Sequence, residues 1–154
     1  MNIRFARISE ARTIHKIMLK AFSHNNDGIP SSALEETIDD IEFALKNGEK
    51  AMLCLQEKSL IGMIRFQENE DSVYFYRLAV LPTMQRQGVA KRLLVALEEY
   101  AKKENKTSIW CKVRLSMPNA ISLYSSNGYT LVNEEVVTKP NNETVKIASM
   151  KKKI

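Results

Sequence analysis

The sequence predicts an α/β protein with a mixed, mostly antiparallel sheet of about seven strands and about four helices. Three observations lead to this fold class. Short apolar runs and helical periodicities follow one another in the order β-α-α-β-β-β-α-β-α-β-β. Three consecutive strand-like runs in the middle of the chain favour antiparallel pairing. The strand-helix-strand unit after them favours a parallel pair, with helices on the faces of the sheet.

The first third of the chain contains one predicted strand and two predicted helices. Residues 2–8 alternate apolar side chains with arginines, which is typical of a strand. A helix is predicted over residues 10–22, where apolar residues recur at spacings of three and four. Ser32 and Glu35 match a capping box, so a second helix is expected from there to the Asn-Gly stop at residues 47–48.

The middle third begins with a predicted hairpin. Its two strands are residues 51–56 and 60–66, joined by a polar tight turn. Another strand, rich in aromatic and β-branched residues, is predicted over residues 73–81, and Pro82 ends it because proline has no N–H for a ladder. Helical periodicity then starts at Arg86 and continues to about residue 103.

The last third is predicted to alternate strands with one short helix. Residues 107–113 form the strand after the long helix, and residues 118–126 form the short helix, which an Asn-Gly pair closes. Two further strands are predicted over residues 129–137 and 144–150. The three lysines at residues 151–153 are interpreted as a solvated end of the chain rather than as a nucleic-acid patch.

Composition and charge restrict the possible function classes. Of the 154 residues, 44% are hydrophobic and 27% are charged, as in an ordinary globular domain and unlike a disordered chain. The length indicates one domain. The net charge of +5 suits anionic ligands, and a phosphorylated cofactor would satisfy it as well as nucleic acid would. Because no motif for reading bases is recognisable, we expect no nucleic-acid partner.

Localisation is predicted from what the sequence lacks. No apolar run approaches membrane-spanning length, and the first residues lack the apolar segment of a signal peptide. The two cysteines, Cys54 and Cys111, show no CxxC spacing and are interpreted as buried, reduced thiols in strands. We therefore expect a cytoplasmic protein without a membrane partner and without a metal site.

The connection between the fourth predicted strand and the long helix is a candidate anion site. It reads Gln85-Arg-Gln-Gly88-Val-Ala90 and places a glycine at the start of a helix. A small turn of this kind leaves backbone N–H groups free, and those groups together with the helix dipole suit a phosphate.

These elements resemble the GNAT superfamily of N-acetyltransferases over essentially the whole chain. The family's acyl-CoA turn, Gln/Arg-x-x-Gly-x-Gly/Ala, is similar to the turn from Gln85 to Ala90. A later family motif is similar to Asn119, Tyr124 and the Gly-Tyr pair at residues 128–129. The resemblance implies one N-acetyltransferase domain over residues 1–154. It also implies direct attack of a primary amine, on a small molecule, peptide or protein, on the thioester carbonyl of acetyl-CoA.

The resemblance also implies roles for individual residues. Backbone N–H groups of the turn would hold the pyrophosphate, and Gly88 would let the backbone approach it. The preceding strand would carry a bulge, pair with the pantetheine arm and polarise the thioester carbonyl through the N–H of Val80. Tyr124 would donate a proton to the leaving thiolate. The implied cofactor-binding residues are Leu78, Ala79, Val80, Gln85, Arg86, Gln87, Gly88, Val89, Ala90, Lys91, Asn119 and Tyr124.

The general base is not assigned by the sequence. Some family members carry a catalytic Glu about eleven residues before the Gln of the turn, and here that register falls on Tyr74. No carboxylate lies between residues 73 and 81. The open alternatives are a water chain touching Tyr74 or Tyr76, no specific base, or a carboxylate from elsewhere in the chain, of which Glu68, Glu70 and Asp71 are nearest in sequence.

Candidate acceptor-binding residues lie in two places. Tyr74 and Tyr76 alternate to one face of their strand, which is either the cleft or the core. His24 falls in the region between the first two helices, which helps form the acceptor site in GNAT proteins. Arg77 is a charge in a strand interior, so we expect it either to touch the acceptor or to pair with an acidic residue.

Two readings of function remain open at this point. The first is an active N-acetyltransferase, which the presence of Tyr124 favours. The second is a catalytically silent GNAT-like module that binds acetyl-CoA or a partner, which the missing strand carboxylate favours. Antibiotics, polyamines, amino acids and protein N-termini are all possible acceptors, and the protein is expected to be a monomer or a homodimer.

Overall fold

The computed structural model describes residues 1–23 and 31–154. Within those residues the order of helices and strands is the predicted one. The strands are β1 (Asn2–Phe5), β2 (Lys50–Gln56), β3 (Ser59–Glu68), β4 (Ser72–Val80), β5 (Ser108–Arg114), β6 (Thr130–Thr138) and β7 (Thr144–Lys153). The helices are α1 (Ala11–Phe22), α2 (Ile38–Lys46), α3 (Val89–Lys103) and α4 (Pro118–Ser126). None of these described helices combines the length and apolar character needed to cross a bilayer.

The described strands form one sheet in the order β1-β2-β3-β4-β5-β7-β6. Every neighbouring pair is antiparallel except β4 and β5, which are parallel. The parallel pair is the one joined through α3, as a crossover connection requires. The predicted mixed, mostly antiparallel sheet is therefore confirmed.

Helices cover both faces of the sheet, and each face has its own apolar core. α3 and α4 lie on one face, and α1 and α2 lie on the other. The first core includes Val73, Phe75, Leu93, Leu97, Ile109 and both cysteines, and the second includes Ile14, Ile41, Leu53, Met63 and Ala79. Both cysteines are unpaired and buried in strands. Burying one large apolar side chain of this kind contributes about 1.5–3 kcal/mol, so the two cores supply most of the stabilisation.

Gly62 of β3 allows α3 to begin close to the sheet. A Cβ at this position would lie 2.6 Å from Cγ1 of Val89, the first residue of α3, and 3.2 Å from the carbonyl oxygen of Ala79. A larger residue would therefore push the start of α3 away from β3 and β4. The distance between the β4 strand and the following helix depends on this glycine.

The start of α2 differs from the prediction. Residues 32–35 form a separate 3-10 turn, and the capping box predicted at Ser32 and Glu35 is wrong. The box lies instead at Thr37 and Asp40: the Thr37 hydroxyl accepts from the Asp40 N–H at 3.0 Å, and the Thr37 N–H donates to the Asp40 carboxylate at 2.9 Å. Between the two elements, Glu36 has extended backbone.

The lysines at residues 151–153 are not a loose tail, although Lys151 and Lys153 are exposed as expected. They are the last residues of β7 and pair with residues 108–110 of β5. The ammonium group of Lys152 lies 3.0 Å from the Glu98 carboxylate on α3. The predicted strand ended too early, at residue 150, because a run of charges hides the strand period while the backbone of the run completes a ladder.

A buried group of charged residues joins the α1–α2 connection to the sheet. We call Glu36, Glu49, Arg65 and Arg77 the Arg65 cluster. Arg65 lies on β3 and is 1% exposed. Its guanidinium donates to Glu49 at 2.7 and 3.0 Å and to Glu36 at 2.7 and 2.8 Å. Arg77 of β4 adds a hydrogen bond to Glu36 at 3.2 Å, so two guanidinium groups face two carboxylates and the cluster is neutral.

The pKa values of the two carboxyl groups in the cluster are shifted in opposite directions. Burial raises the pKa of Glu49, and the hydrogen bonds from Arg65 only partly oppose this. Burial also acts to raise the pKa of Glu36, but hydrogen bonds and charge from Arg65, assisted by Arg77, hold that pKa below its usual range. Arg65 therefore opposes the effect of burial on both carboxyl groups, and it outweighs that effect only at Glu36.

Arg65→Met should lower the free energy of unfolding by about 3–5 kcal/mol, because it leaves buried carboxylates without their partner. Burial would then hold the folded-state pKa of Glu49 above its unfolded value. Stability from such a group is present below the unfolded pKa and is lost as the pH rises through the folded pKa. The loss should consequently be larger near pH 8 than near pH 5, as measured by urea unfolding at both pH values.

Arg4→Met is the matched control for this variant. Arg4 pairs with Glu10 at 2.8 Å, and the Arg4 side chain is 38% exposed. Pairs of this exposure contribute about 0–1 kcal/mol, so the control should lose little stability. Equal losses in the two variants, or a loss in Arg65→Met that does not change with pH, would contradict the role of the cluster.

Candidate active site

β4 separates from β5 after a short stretch of pairing. The two strands pair over three residue pairs, from Ser72–Ser108 to Tyr74–Trp110. Beyond Tyr74, β4 continues to Val80 without pairing with β5 on that edge. The result is a V-shaped opening in the sheet, where the backbone groups of β4 form no ladder with β5.

A β-bulge in β4 accompanies this separation. In the register with β3, Arg65 lies opposite Tyr76 and Met63 lies opposite Ala79. The single residue Ile64 therefore faces two residues of β4, and the first of them, Arg77, has a positive φ of 53°. An extra residue of this kind bends the strand and increases its twist, which carries β4 away from β5.

The backbone directions at the end of β4 follow from one hydrogen bond. The N–H of Leu81 donates to the carbonyl oxygen of Ile61 at 2.9 Å and so points toward β3. Successive N–H groups of an extended chain point to opposite edges. The N–H groups of Val80 and Leu78 therefore point toward the opening between β4 and β5.

The predicted anion turn does not begin as a helix. Arg86 and Gly88 have positive φ values of 64° and 81°, so the expectation that helical structure starts at Arg86 is wrong. α3 starts at Val89, and its first intrahelical hydrogen bond runs from Arg92 N–H to Gly88 O at 3.0 Å. The N–H groups that precede this bond have no acceptor within the helix; they belong to Val89, Ala90 and Lys91.

The start of α3 is open to an external anion. No side chain caps it and its first turn has no acidic residue, whereas α2 has a Thr37 cap and two acidic residues in its first turn. A Cβ placed on Gly88 would meet nothing within 4 Å, so the space above the turn is empty of protein atoms. The side chains of residues 85–88 and of Lys91 are exposed. The helix dipole at this end is therefore balanced by neither a cap nor a carboxylate of its own first turn.

A cleft of about 250 Å³ lies at the mouth of the opening between β4 and β5. β4 contributes residues 74–78, β5 contributes residues 111–114, and α4 contributes Tyr124. A larger hollow of about 560 Å³ lies between β1 and α3, but neither the open β4 edge nor Tyr124 lines it. Among the hollows lined by described residues, this cleft is the one that is lined both by the open edge of β4 and by Tyr124. We therefore take it as the candidate active site.

Tyr124 is positioned by aromatic packing on the floor of the cleft. Its ring lies edge-to-face against Phe75 at 5.5 Å and against Tyr129 at 6.1 Å. Burial raises the pKa of Tyr124 above its ordinary value, so its hydroxyl stays protonated through the neutral range. Burial also raises the pKa of the neighbouring Cys111 thiol to about 12, which makes that thiol an unreactive neutral group.

Tyr74 and Tyr76 form an aromatic wall together with Trp110. Tyr74 stacks on Trp110 at 4.2 Å and on Tyr76 at 5.4 Å, and the Arg65 guanidinium lies 5.5 Å from the centre of the Tyr76 ring. Both tyrosines line the cleft. Trp110 lines a different hollow, so it belongs to the wall only through its stacking on Tyr74, and sequence reasoning did not connect the two residues.

Arg77 lies in the cleft wall and is paired with an acidic residue. Its guanidinium donates to Glu36 at 3.2 Å and to the Ser32 hydroxyl at 3.1 Å. Of the two expectations for this residue, pairing with a carboxylate is therefore confirmed. Sequence reasoning missed Glu36 and Arg65, although a charge inside the apolar run of residues 60–66 was a signal for a buried ion pair.

The nearby carboxylates do not reach the cleft. Glu68 accepts hydrogen bonds from Lys50 and, at 2.9 Å, from Tyr100. Asp71 lines a different hollow beside Thr107, and Glu70 is exposed. No carboxylate is among the described residues that line the cleft. The part of the chain that the structure describes thus supplies no side-chain base there, and it holds no group of metal-ligating residues.

Two further predicted site residues are Asn119 and His24. Asn119 is exposed in the first turn of α4, while its neighbour Ala120 lines the cleft. His24 falls outside the described residues. The remaining candidates of β4 and the anion turn lie along one continuous path, from the bulge to the start of α3.

The sequence is similar to that of a curated bacterial N-acetyltransferase. The chain is 37% identical to the ribosomal protein bS18-alanine N-acetyltransferase of Escherichia coli over 89 residues, which are 56% of this chain. The chain spans about 60% of the length of this curated relative.

Solved structures share the fold over nearly the whole chain. The crystal structure of the Escherichia coli ribosomal-protein-S18-alanine N-acetyltransferase matches 99% of this chain and 93% of its own, with a TM-score of 0.79 and 22% identity. The PaiA N-acetyltransferase of Thermoplasma acidophilum, solved in complex with coenzyme A, matches 100% of both chains with a TM-score of 0.77 and 19% identity. A family model described as acetyltransferase (GNAT) family matches residues 10–129. The chain therefore belongs to the GNAT family of acetyltransferases.

Proposed function

We propose that this protein is an acetyl-CoA-dependent N-acetyltransferase, with one catalytic domain that acts on a primary amine of a small molecule, peptide or protein. One observation carries the proposal. The open edge of β4 and the uncapped start of α3 lie at the two ends of a single connection, and a protonated tyrosine lies in the cleft beside that edge.

The residues present fit acetyl-CoA. The N–H groups of residues 89–91 and the glycine turn would hold the pyrophosphate, because they are donors without helical acceptors beside empty space. The open edge of β4 would pair with the pantetheine arm as an added strand. Acetyl-CoA supplies the activated acetyl thioester.

The chain's own groups account for the rest of the chemistry. The Val80 N–H, directed into the opening, would donate a hydrogen bond to a carbonyl oxygen there and so stabilise the negative charge that develops on it. Tyr124 would hold a proton on its hydroxyl and deliver it to the leaving sulfur. The aromatic wall and Arg77 would bound the acceptor side of the cleft.

The acceptor is proposed only as a class. The name of the E. coli relative specifies an alanine of a ribosomal protein, which supports testing peptide N-termini alongside polyamines and amino acids. A screen of these amines, with release of coenzyme A as the readout, tests the activity. If the wild type binds acetyl-CoA but turns over no amine, the silent module is the better description, which the absence of a carboxylate from the described cleft lining also favours.

We also propose that the protein acts in the cytoplasm, as a monomer or a homodimer and without nucleic acid. The two unpaired, buried cysteines support a reducing compartment. Sedimentation equilibrium of the purified protein would decide between the two oligomeric states.

Gly88→Ala should weaken coenzyme A binding by about tenfold or more, because a Cβ would occupy the space next to the N–H groups of the turn. The strain of a left-handed alanine should also cost about 1–2 kcal/mol of stability. Gly48→Ala is the matched control: Gly48 has a φ of 102° and open space around it, but it lies in the turn between α2 and β2. Calorimetric titration with coenzyme A should show normal affinity for the control, and equal affinities for both variants would contradict the phosphate turn.

Tyr124→Phe should lower kcat by about a hundredfold or more while changing acetyl-CoA affinity little, because it removes the proton donor and keeps the ring. Tyr129→Phe is the matched control, since Tyr129 is also a buried aromatic packed on Phe75 but does not line the cleft. Steady-state kinetics of both variants provide the measurement. A Tyr124→Phe enzyme with wild-type kcat would remove Tyr124 from the chemistry.

The pH dependence of kcat/KM should follow the pKa of the acceptor amine. Because no carboxylate is among the described cleft residues, the amine must lose its proton without a side-chain base from them. The kcat/KM value should then rise about tenfold per pH unit below the pKa of the acceptor amine. Two acceptors whose amines differ in pKa should show inflections that differ in the same direction. One shared inflection near neutral pH would instead indicate an enzyme base.

A further inference from the structure

The β4 bulge contains a residue in an unfavourable backbone conformation. Arg77 has a φ of 53°, a region that L residues other than asparagine and aspartate seldom adopt. The other described non-glycine residues with positive φ are Glu57, Arg86, Asn105 and Asn142, and all of them lie in turns or at the end of a helix. Arg77 alone among them lies within a strand, so its surroundings must hold it there.

The side-chain contacts of Arg77 provide this restraint. Its Nε donates to Glu36 at 3.2 Å and its Nη1 donates to Ser32 at 3.1 Å. Two of the three guanidinium nitrogens are therefore bound by the segment that leads into α2. The strand conformation and the α1–α2 connection are coupled through this one side chain.

Glu36 is itself fixed from inside the protein. Both of its carboxylate oxygens accept hydrogen bonds from Arg65, which Glu49 holds from the other side. Arg65 lies opposite Tyr76 in the sheet register, directly before the bulge. A chain of contacts therefore runs from the buried interior of β3 through Glu36 to the side chain of Arg77.

We infer that Glu36 is a positioning residue for the transfer reaction: its carboxylate holds Arg77 in the left-handed bulge, and the bulge directs the N–H groups of Leu78 and Val80 into the opening. The inference rests on the proposed acetyltransferase function. It gives Arg77 a role in backbone geometry rather than in acceptor recognition. Glu36 would act through Arg77 without touching either substrate.

The first test is Glu36→Gln. Loss of the charge should release Arg77 and misplace the N–H groups, so kcat should fall about tenfold to a hundredfold. Affinity for acetyl-CoA should fall by a smaller factor than kcat, because the phosphate turn at the start of α3 is untouched and only the contacts of the pantetheine arm with β4 change. Glu10→Gln is the matched control: it neutralises the carboxylate of another Arg–Glu pair, remote from the cleft, and should keep the wild-type kcat.

The second test compares two substitutions of Arg77. Arg77→Gly and Arg77→Ala both remove the guanidinium, but glycine adopts a positive φ readily and alanine does not. The glycine variant should therefore keep the bulge, with a kcat at least about fivefold above that of the alanine variant. Equal kcat values, together with a raised acceptor KM in both variants, would overturn the inference and assign Arg77 to acceptor binding.

A spectroscopic readout separates this inference from the proposed function. The ¹H–¹⁵N resonances of Leu78 and Val80 in the ligand-free protein report the bulge without any turnover. Both resonances should shift in Glu36→Gln and stay near their wild-type positions in Glu10→Gln. For the Arg77 variants the readout is Val80, which is not adjacent to the substitution, and its resonance should shift more in Arg77→Ala than in Arg77→Gly. Unshifted resonances in Glu36→Gln would overturn the positioning role even in an active enzyme. A wild type without turnover would instead remove the proposed function, and the resonances would still report whether Glu36 holds the bulge.

Discussion

The short parallel pairing between β4 and β5 is the constraint on which the candidate site depends. Only three residue pairs join the two strands, and the bulge at Arg77 turns β4 away from its neighbour. If the ladder continued, the N–H groups of Leu78 and Val80 would be used inside the sheet and the cleft would be closed. A ligand can therefore bind by strand addition because the backbone of β4 beyond Tyr74 forms no ladder with β5.

The order of elements could be predicted because it depends on local periodicity. The short helix at residues 118–126 has the predicted bounds, and the middle strands and the long helix were found within a few residues. The start of α2 could not be fixed in this way. The sequence contains two capping signals, at Ser32 and at Thr37, and the first is overridden because Glu36 is extended and pairs with Arg65.

Part of the candidate site could also be predicted from the sequence, because some of its residues belong to local patterns. The glycine turn and the aromatic residues of β4 are local patterns, so they were placed by position and spacing. The carboxylate partners of Arg65 and Arg77 are separated from them by 16 to 41 positions along the chain, and no local pattern specifies them. The end of β7 was missed because lysine side chains can extend to solvent or to Glu98 while their backbone completes a ladder.

The two faces of the sheet have a consequence for how such a protein can change. The glycine turn belongs to the layer of α3 and α4, whereas the α1–α2 connection lies on the opposite face, and β2, β3 and β4 contribute to the cores on both faces. Substitutions around α1 and α2 can therefore accumulate with little effect on the phosphate turn, so acceptor preference and cofactor affinity can diverge independently. Arg77 is the exception. A change there affects both layers at once, which makes it a point where selection for a new acceptor would conflict with the existing chemistry.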